Sequence, residues 1–149
     1  MAGLYYEQFE PGMEFKHALT RTITEMDNIM FCAMTHNPQP LHLDEEFASK
    51  TEFGQRIVNS LFTLGLVIGV TVSETTLGTT VANLGMTDIR FPKPLFHGDT
   101  IHVVTRVKEL RESKSRPNAG RIVFEHSGYN QRDEEIAGCV RTALMHPPP

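Results

Sequence analysis

The sequence is short of the features that mark several protein classes. It has two cysteines in 149 residues, Cys32 and Cys139, in unrelated contexts. That excludes a disulfide framework and fits a reduced, cytoplasmic protein with two packed thiols. Basic residues are outnumbered, with a formal net charge of −4. A nucleic-acid binder usually carries a basic stripe; here even the stretch Arg106 to Arg116 is interleaved with Glu109 and Glu112. No nucleic-acid partner is expected. Apolar runs are short: Leu61 to Val72 cannot span a bilayer and reads as a buried helix. Met1 to Glu10 lacks the charged-then-apolar pattern of a signal peptide. No membrane association is expected. There is no repeat, and no low-complexity segment apart from Pro147-Pro148-Pro149.

What is present is an ordinary globular balance, 40% hydrophobic and 21% charged, in a length that suits one domain over residues 1–149 with one core. Phe15 to Ile23 reads as a first strand. Thr24 is placed to cap a helix, with Glu25 and Asp27 at its positive end and Ile29, Met30, Ala33 and Met34 as its apolar stripe. Pro38 and Pro40 end that helix, and Asp44 is placed to cap a short one over Glu45 to Lys50.

A long helix over about Asn59 to Ser73, capped by Asn59 or Ser60, is apolar on nearly every side and so is expected to be surrounded by protein. Gly65 and Gly69 share one face of it, which predicts close approach to a sheet. After Gly78 the pattern turns to strands. Asp99 to Leu110 alternates, with Ile101, Val103, Thr105 and Val107 on one face. Arg121 to Tyr129 and Ile136 to Met145 follow, and Arg111 to Gly120 reads as the hairpin loop between strands. One antiparallel sheet wrapped on a central helix satisfies this order: an α+β, hot-dog arrangement. Its outer face needs cover, which predicts a homodimer or a dimer of dimers.

The segment Thr35-His36-Asn37-Pro38-Gln39-Pro40-Leu41-His42-Leu43-Asp44 carries the chemistry. Two prolines stiffen it, and a stiff loop at a helix end holds a side chain in one geometry for proton transfer. His42 has the side-chain type most often used for proton transfer. Asn37 offers an amide for a water or a carbonyl, or simply forms a turn before Pro38. Asp44 is read as a helix cap. His36, His42 and Asp44 match no standard zinc spacing, so no metal is expected. His97 and His102 are read as surface or packed residues, and Gly98-Asp99 as a turn.

Pro40-Leu41-His42-x-Asp44, then Ile57-Val58-Asn59-Ser60 before the apolar helix, then Phe91-Pro92-Lys93-Pro94-Leu95-Phe96-His97-Gly98-Asp99 resemble, in that order, the motifs of the MaoC-like, (R)-specific enoyl-CoA hydratases. The resemblance spans roughly residues 24–145. It implies syn addition of water to a 2-enoyl-CoA, with a CoA thioester as substrate and no further cofactor. By position, His42 is the family histidine and Ser60 N–H the oxyanion donor. The family aspartate five residues before the histidine is Asn37 here, which cannot act as a base, so His42 is left to do the acid–base work with Asn37 orienting water. Asn59-Ser60 stands where the family has His-Gly. Asn59, Arg56 and Arg90 flank the implied acyl site and are candidates for substrate contact; the arginines would suit an acyl group with its own carboxylate. Two other readings stay open: an acyl-CoA thioesterase, against which stands the lack of a carboxylate over Ile57 to Gly65, and a non-catalytic acyl-CoA-binding subunit.

Overall fold

The structure, a computed structural model, describes residues 2–149. A short 3-10 turn over Tyr6–Gln8 leads into β1 (Glu14–Lys16) and β2 (Arg21–Thr22). Three helices follow, α1 (Glu25–Met34), α2 (Pro40–Leu43) and α3 (Glu45–Ser49), then the long α4 (Ser60–Thr75). β3 (Thr80–Arg90), β4 (Thr100–Glu112), β5 (Gly120–Tyr129) and β6 (Glu135–Met145) complete the chain. The sheet order is β1-β4-β5-β6-β3, with β2 also on β4, and every pairing is antiparallel. This is the hot-dog arrangement, with α4 as the filling.

The expected first strand is split in two. His17 N–H still bonds Val103 O, but Ala18 N–H turns away to the Glu74 carboxylate at 3.1 Å, which takes the backbone off the β4 ladder. The N-terminus of α1 forms as its sequence indicates: Thr24 Oγ1 accepts from Asp27 N–H, and the Asp27 carboxylate accepts from Thr24 N–H. Arg21 forks onto the same carboxylate at 2.6 and 2.9 Å and holds it well below the usual carboxylate range.

Ile101, Val103, Thr105 and Val107 are buried on one face of β4, as their alternation indicates. Ile101 and Val103 pack in one cluster with Val67 and Val70 of α4, whose other buried residues are Thr63, Leu64, Thr71 and Thr75, while Val107 packs with Phe9 and Phe124 in a second cluster. Close approach of helix and sheet depends on Gly128 of β5, where a Cβ would come within 2.5 Å of Val67 Cγ2. This corrects the expectation for Gly65 and Gly69: a Cβ at either would meet nothing within 4 Å, and both face outward. The helix is likewise not enclosed: Leu61 is 62% exposed, on the same side as those glycines. A curved sheet covers only one side of a cylinder, and among the described residues nothing covers the other. The α1 stripe is reversed in the same sense. Ile29, Met30, Ala33 and Met34 are exposed, while Asn28 and Cys32 form the buried face.

Candidate active site

Pro40 is what places His42. α1 ends at Met34, His36 takes a positive φ of 56°, and the chain reverses. Pro40 then sits at the first position of α2, where its lacking N–H costs nothing. The short helix turns His42 toward the segment that leads into α4. His42 Nδ1 lies 2.8 Å from the carbonyl oxygen of Ile57. A carbonyl only accepts, so Nδ1 carries the proton and Nε2 presents a lone pair. The contact is reinforced by Ile57 N–H donating to Leu41 O at 3.2 Å and by Val58 N–H donating to Leu95 O at 2.8 Å.

The start of α4 lies just beyond. Asn59 is buried, and its Oδ1 caps the helix by accepting from Leu61 N–H at 3.0 Å. Its own N–H is taken by Asn28 Oδ1 at 2.9 Å. The structure thus gives Asn59 a capping place, and its side chain also reaches Cys32 Sγ. Ser60 is exposed at the first helical position, and no partner for its N–H is found among the described residues. Such an N–H carries part of the positive end of the helix dipole. Ser60 lines a pocket of about 240 Å³ together with Phe53, Ile57, Val58, Thr63, Lys93 and Leu95.

Asn37 stands on the other side of this loop. Its Oδ1 accepts from Gln39 N–H at 3.1 Å, the turn-forming contact. It lines an open groove of about 400 Å³ with Ile29, Cys32, His36, Pro38 and Leu43, distinct from the Ser60 pocket. Asp44 caps α3 by accepting from Phe47 N–H at 3.0 Å. Arg56 is held by two carboxylates, Glu45 at 2.7 Å and Glu25 at 3.2 Å. Arg90 pairs with Glu135 at 2.6 Å. So His42 is brought against the Ile57 carbonyl, and Ile57 and Ser60 line one pocket that His42 itself does not line, while each arginine already faces a protein carboxylate. A wider concavity of about 640 Å³, around Leu84, Met86, Arg111 and Arg121, lies away from His42.

Sequence reading passed over Asn28 and gave His97 no more than a surface or packed place. Asn28 is fully buried, and the two hydrogens of its Nδ2 are shared among three acceptors, His97 Nε2, Ile57 O and His42 O. His97 is packed against it, and burial with the nearby Arg56 charge pushes its pKa down. A polar residue on an apolar helix gave the only signal. Among the described residues, no three His, Cys, Asp or Glu side chains come together as metal ligands, and no helix is long and apolar enough to cross a membrane.

A mesaconyl-CoA hydratase from Cereibacter sphaeroides is 31% identical over 144 residues, 97% of this chain and 41% of the relative. The chain spans about two fifths of the length of the first curated relatives it matches. The MaoC-like dehydratase structure from Rhodospirillum rubrum is 27% identical, covers 99% of both chains and superposes with a TM-score of 0.84. A Mycobacterium tuberculosis protein with a double hot-dog fold is 20% identical and aligns with a TM-score of 0.88, over 99% of this chain and 45% of its own. The profile of the family described as "MaoC like domain" matches residues 7–138. The chain belongs to the MaoC-like dehydratase family.

Proposed function

We propose that the domain reversibly hydrates a short or branched 2-enoyl-CoA to the 3-hydroxyacyl-CoA. One observation supports this reading: His42 Nδ1 meets the carbonyl of Ile57, a residue that lines the pocket at the start of α4 with the unpartnered Ser60 N–H, so that in its neutral form the imidazole keeps Nε2 free to accept a proton. His42 Nε2 takes a proton from water as the water oxygen bonds the β-carbon. The electron pair of the double bond moves to the thioester oxygen, where Ser60 N–H stabilises the enolate. The imidazolium then returns a proton to the α-carbon on the same face. Asn37 does not ionise, and with its Oδ1 held by Gln39 N–H and its side chain in a separate groove, it could orient the water only through Nδ2.

The name of the Cereibacter sphaeroides relative supports a CoA thioester as substrate. The Ser60 pocket supports a short acyl group: about 240 Å³ is below the roughly 300–1,000 Å³ of pockets that take larger ligands. A distal carboxylate would share Arg56 with Glu25 and Glu45, or Arg90 with Glu135.

A second copy of the chain is the proposed partner. β3 is an open edge carrying exposed Leu84 and Ile89, and the outer side of α4 and the α1 stripe are uncovered apolar surface. Sedimentation equilibrium tests this, and a monomer at micromolar concentration would reject it.

Purified protein mixed with crotonyl-CoA, mesaconyl-CoA and octenoyl-CoA tests the activity. Loss of the enoyl-thioester absorbance, faster with the short substrates, is expected. Release of free CoA would instead identify a thioesterase, and no change with any of the three would leave an acyl-CoA-binding subunit.

A further inference from the structure

We propose that Asn28, on α1, is a positioning residue that sets the His42 imidazole and the start of α4 at the same time. The inference rests on the hydratase reading for its kinetic consequence, but not for its geometry.

Asn28 is completely buried. Its Nδ2 faces three acceptors: His97 Nε2 at 3.0 Å, the Ile57 carbonyl at 3.1 Å and the His42 carbonyl at 3.3 Å. Its Oδ1 accepts from Asn59 N–H at 2.9 Å, and the Cys32 thiol lies at 3.9 Å on the same oxygen. The orientation of the amide is set by these partners. Turning it over would put oxygen against two carbonyls and NH₂ against an N–H. An amide alone among the uncharged side chains of this size supplies donors on one side and an acceptor on the other.

The partners are the ones the chemistry depends on. Ile57 O is the atom that receives His42 Nδ1, so Asn28 and His42 share one carbonyl. His42 O is the backbone of the histidine itself. Asn59 is the cap whose next residue, Ser60, presents the free N–H. One side chain therefore ties the proton-transfer group to the oxyanion donor, although the two lie on separate segments. His97, brought in by the turn after Phe91, completes the hub: its Nε2 accepts, so its proton sits on Nδ1. Three separated parts of the chain meet on one amide, and a fully buried amide with every polar atom engaged resists displacement.

The test compares native protein with Asn28→Asp and Asn28→Ala, each checked for fold by circular dichroism. Nitrogen-15 NMR of histidine-labelled protein, with His42→Ala to assign the ring, reads the tautomer and titration of His42 whether or not any substrate turns over. In the native protein the Nδ1-protonated tautomer is expected. In Asn28→Ala the ring is expected to exchange between tautomers. In Asn28→Asp the added carboxylate beside the Ile57 carbonyl raises the His42 midpoint. On an enoyl-CoA that the native protein hydrates, kcat is expected to fall about 10²-fold, the cost of a roughly 1 Å misplacement, with KM little changed. A folded variant with native His42 tautomer and midpoint would overturn the proposal. Should neither variant fold, the native protein decides it: slow exchange of the Asn28 side-chain NH₂ protons supports the hub, and fast exchange refutes it. Absence of turnover in the native protein would reject the hydratase reading and leave the His42 measurement standing.

Discussion

His42 and Ile57 form the central relationship of this domain: the imidazole Nδ1 donates to the Ile57 carbonyl oxygen at 2.8 Å. In the neutral imidazole that contact places the proton on Nδ1, which leaves Nε2 as the nitrogen able to accept one. If His42 is the only acid–base group, His42→Ala removes both proton transfers. Turnover is expected to fall by about 10²–10⁴-fold with the fold intact. Steady-state kinetics on crotonyl-CoA checks it, and a loss under about tenfold would assign the proton transfer elsewhere.

Ser60 allows a test that removes its N–H, together with its hydroxyl, without breaking α4. Proline is tolerated at the first position of a helix, and the preceding Asn59 has φ −57° and ψ 125°, which a following proline accepts. Ser60→Pro therefore removes the N–H while keeping α4. An unchanged melting temperature is expected, with kcat lower by about 10²–10³-fold, the usual cost of one oxyanion donor. Native kcat in Ser60→Pro would show that the thioester oxygen is held by another group.

Asn37 is expected to act through its amide. Asn37→Ala should slow hydration, and Asn37→Asp should keep or raise activity on simple enoyl-CoAs, since a carboxylate there supplies a base that His42 lacks as a neighbour. Asn37 Oδ1 also accepts from Gln39 N–H, a contact that aspartate preserves, so Asn37→Asp separates chemistry from turn formation. An inactive but folded Asn37→Asp would mean that the neutral amide itself is required.

Stability should fall on acidification because of a histidine remote from the site. His126 is buried between Thr105, whose Oγ1 meets its Nδ1 at 2.8 Å, and Arg141, whose Nε–H donates to its Nε2 at 3.1 Å. Burial, then the Arg141 charge, then His17 push its pKa down to about 3. The folded state holds His126 neutral where the unfolded chain, titrating near 6.5, binds a proton. The unfolded state thus binds more protons between these values, so stability rises with pH across that window and is lost as pH falls through it. The slope from this group is about 1.4 kcal/mol per pH unit. Chemical denaturation at several pH values measures it. In His126→Gln the slope should flatten by up to one proton, and an unchanged slope would assign it to other groups.

The local elements were legible in the sequence because their causes are local. The Thr24 cap with its Asp27 partner, the Asp44 cap, the reach of α4 from Ser60 and the buried alternation of β4 follow from side-chain chemistry at fixed spacings. The Pro40-Leu41-His42 pattern likewise pointed to the proton-transfer candidate. Which side of each element faces the core was decided only in three dimensions. Periodicity marks a stripe but not its partner, so the Met30 and Met34 side of α1 and the Gly65 and Gly69 side of α4 turned out to face outward. The closeness of α4 to the sheet came from Gly128, a residue of the opposite element. Arg56 found Glu25 and Glu45, and Asn28 found Ile57, Asn59 and His97, across separations that no local pattern encodes. Hydrogen bonds and ion pairs depend on ångström-scale meeting of distant segments, and that meeting is a property of the folded chain alone.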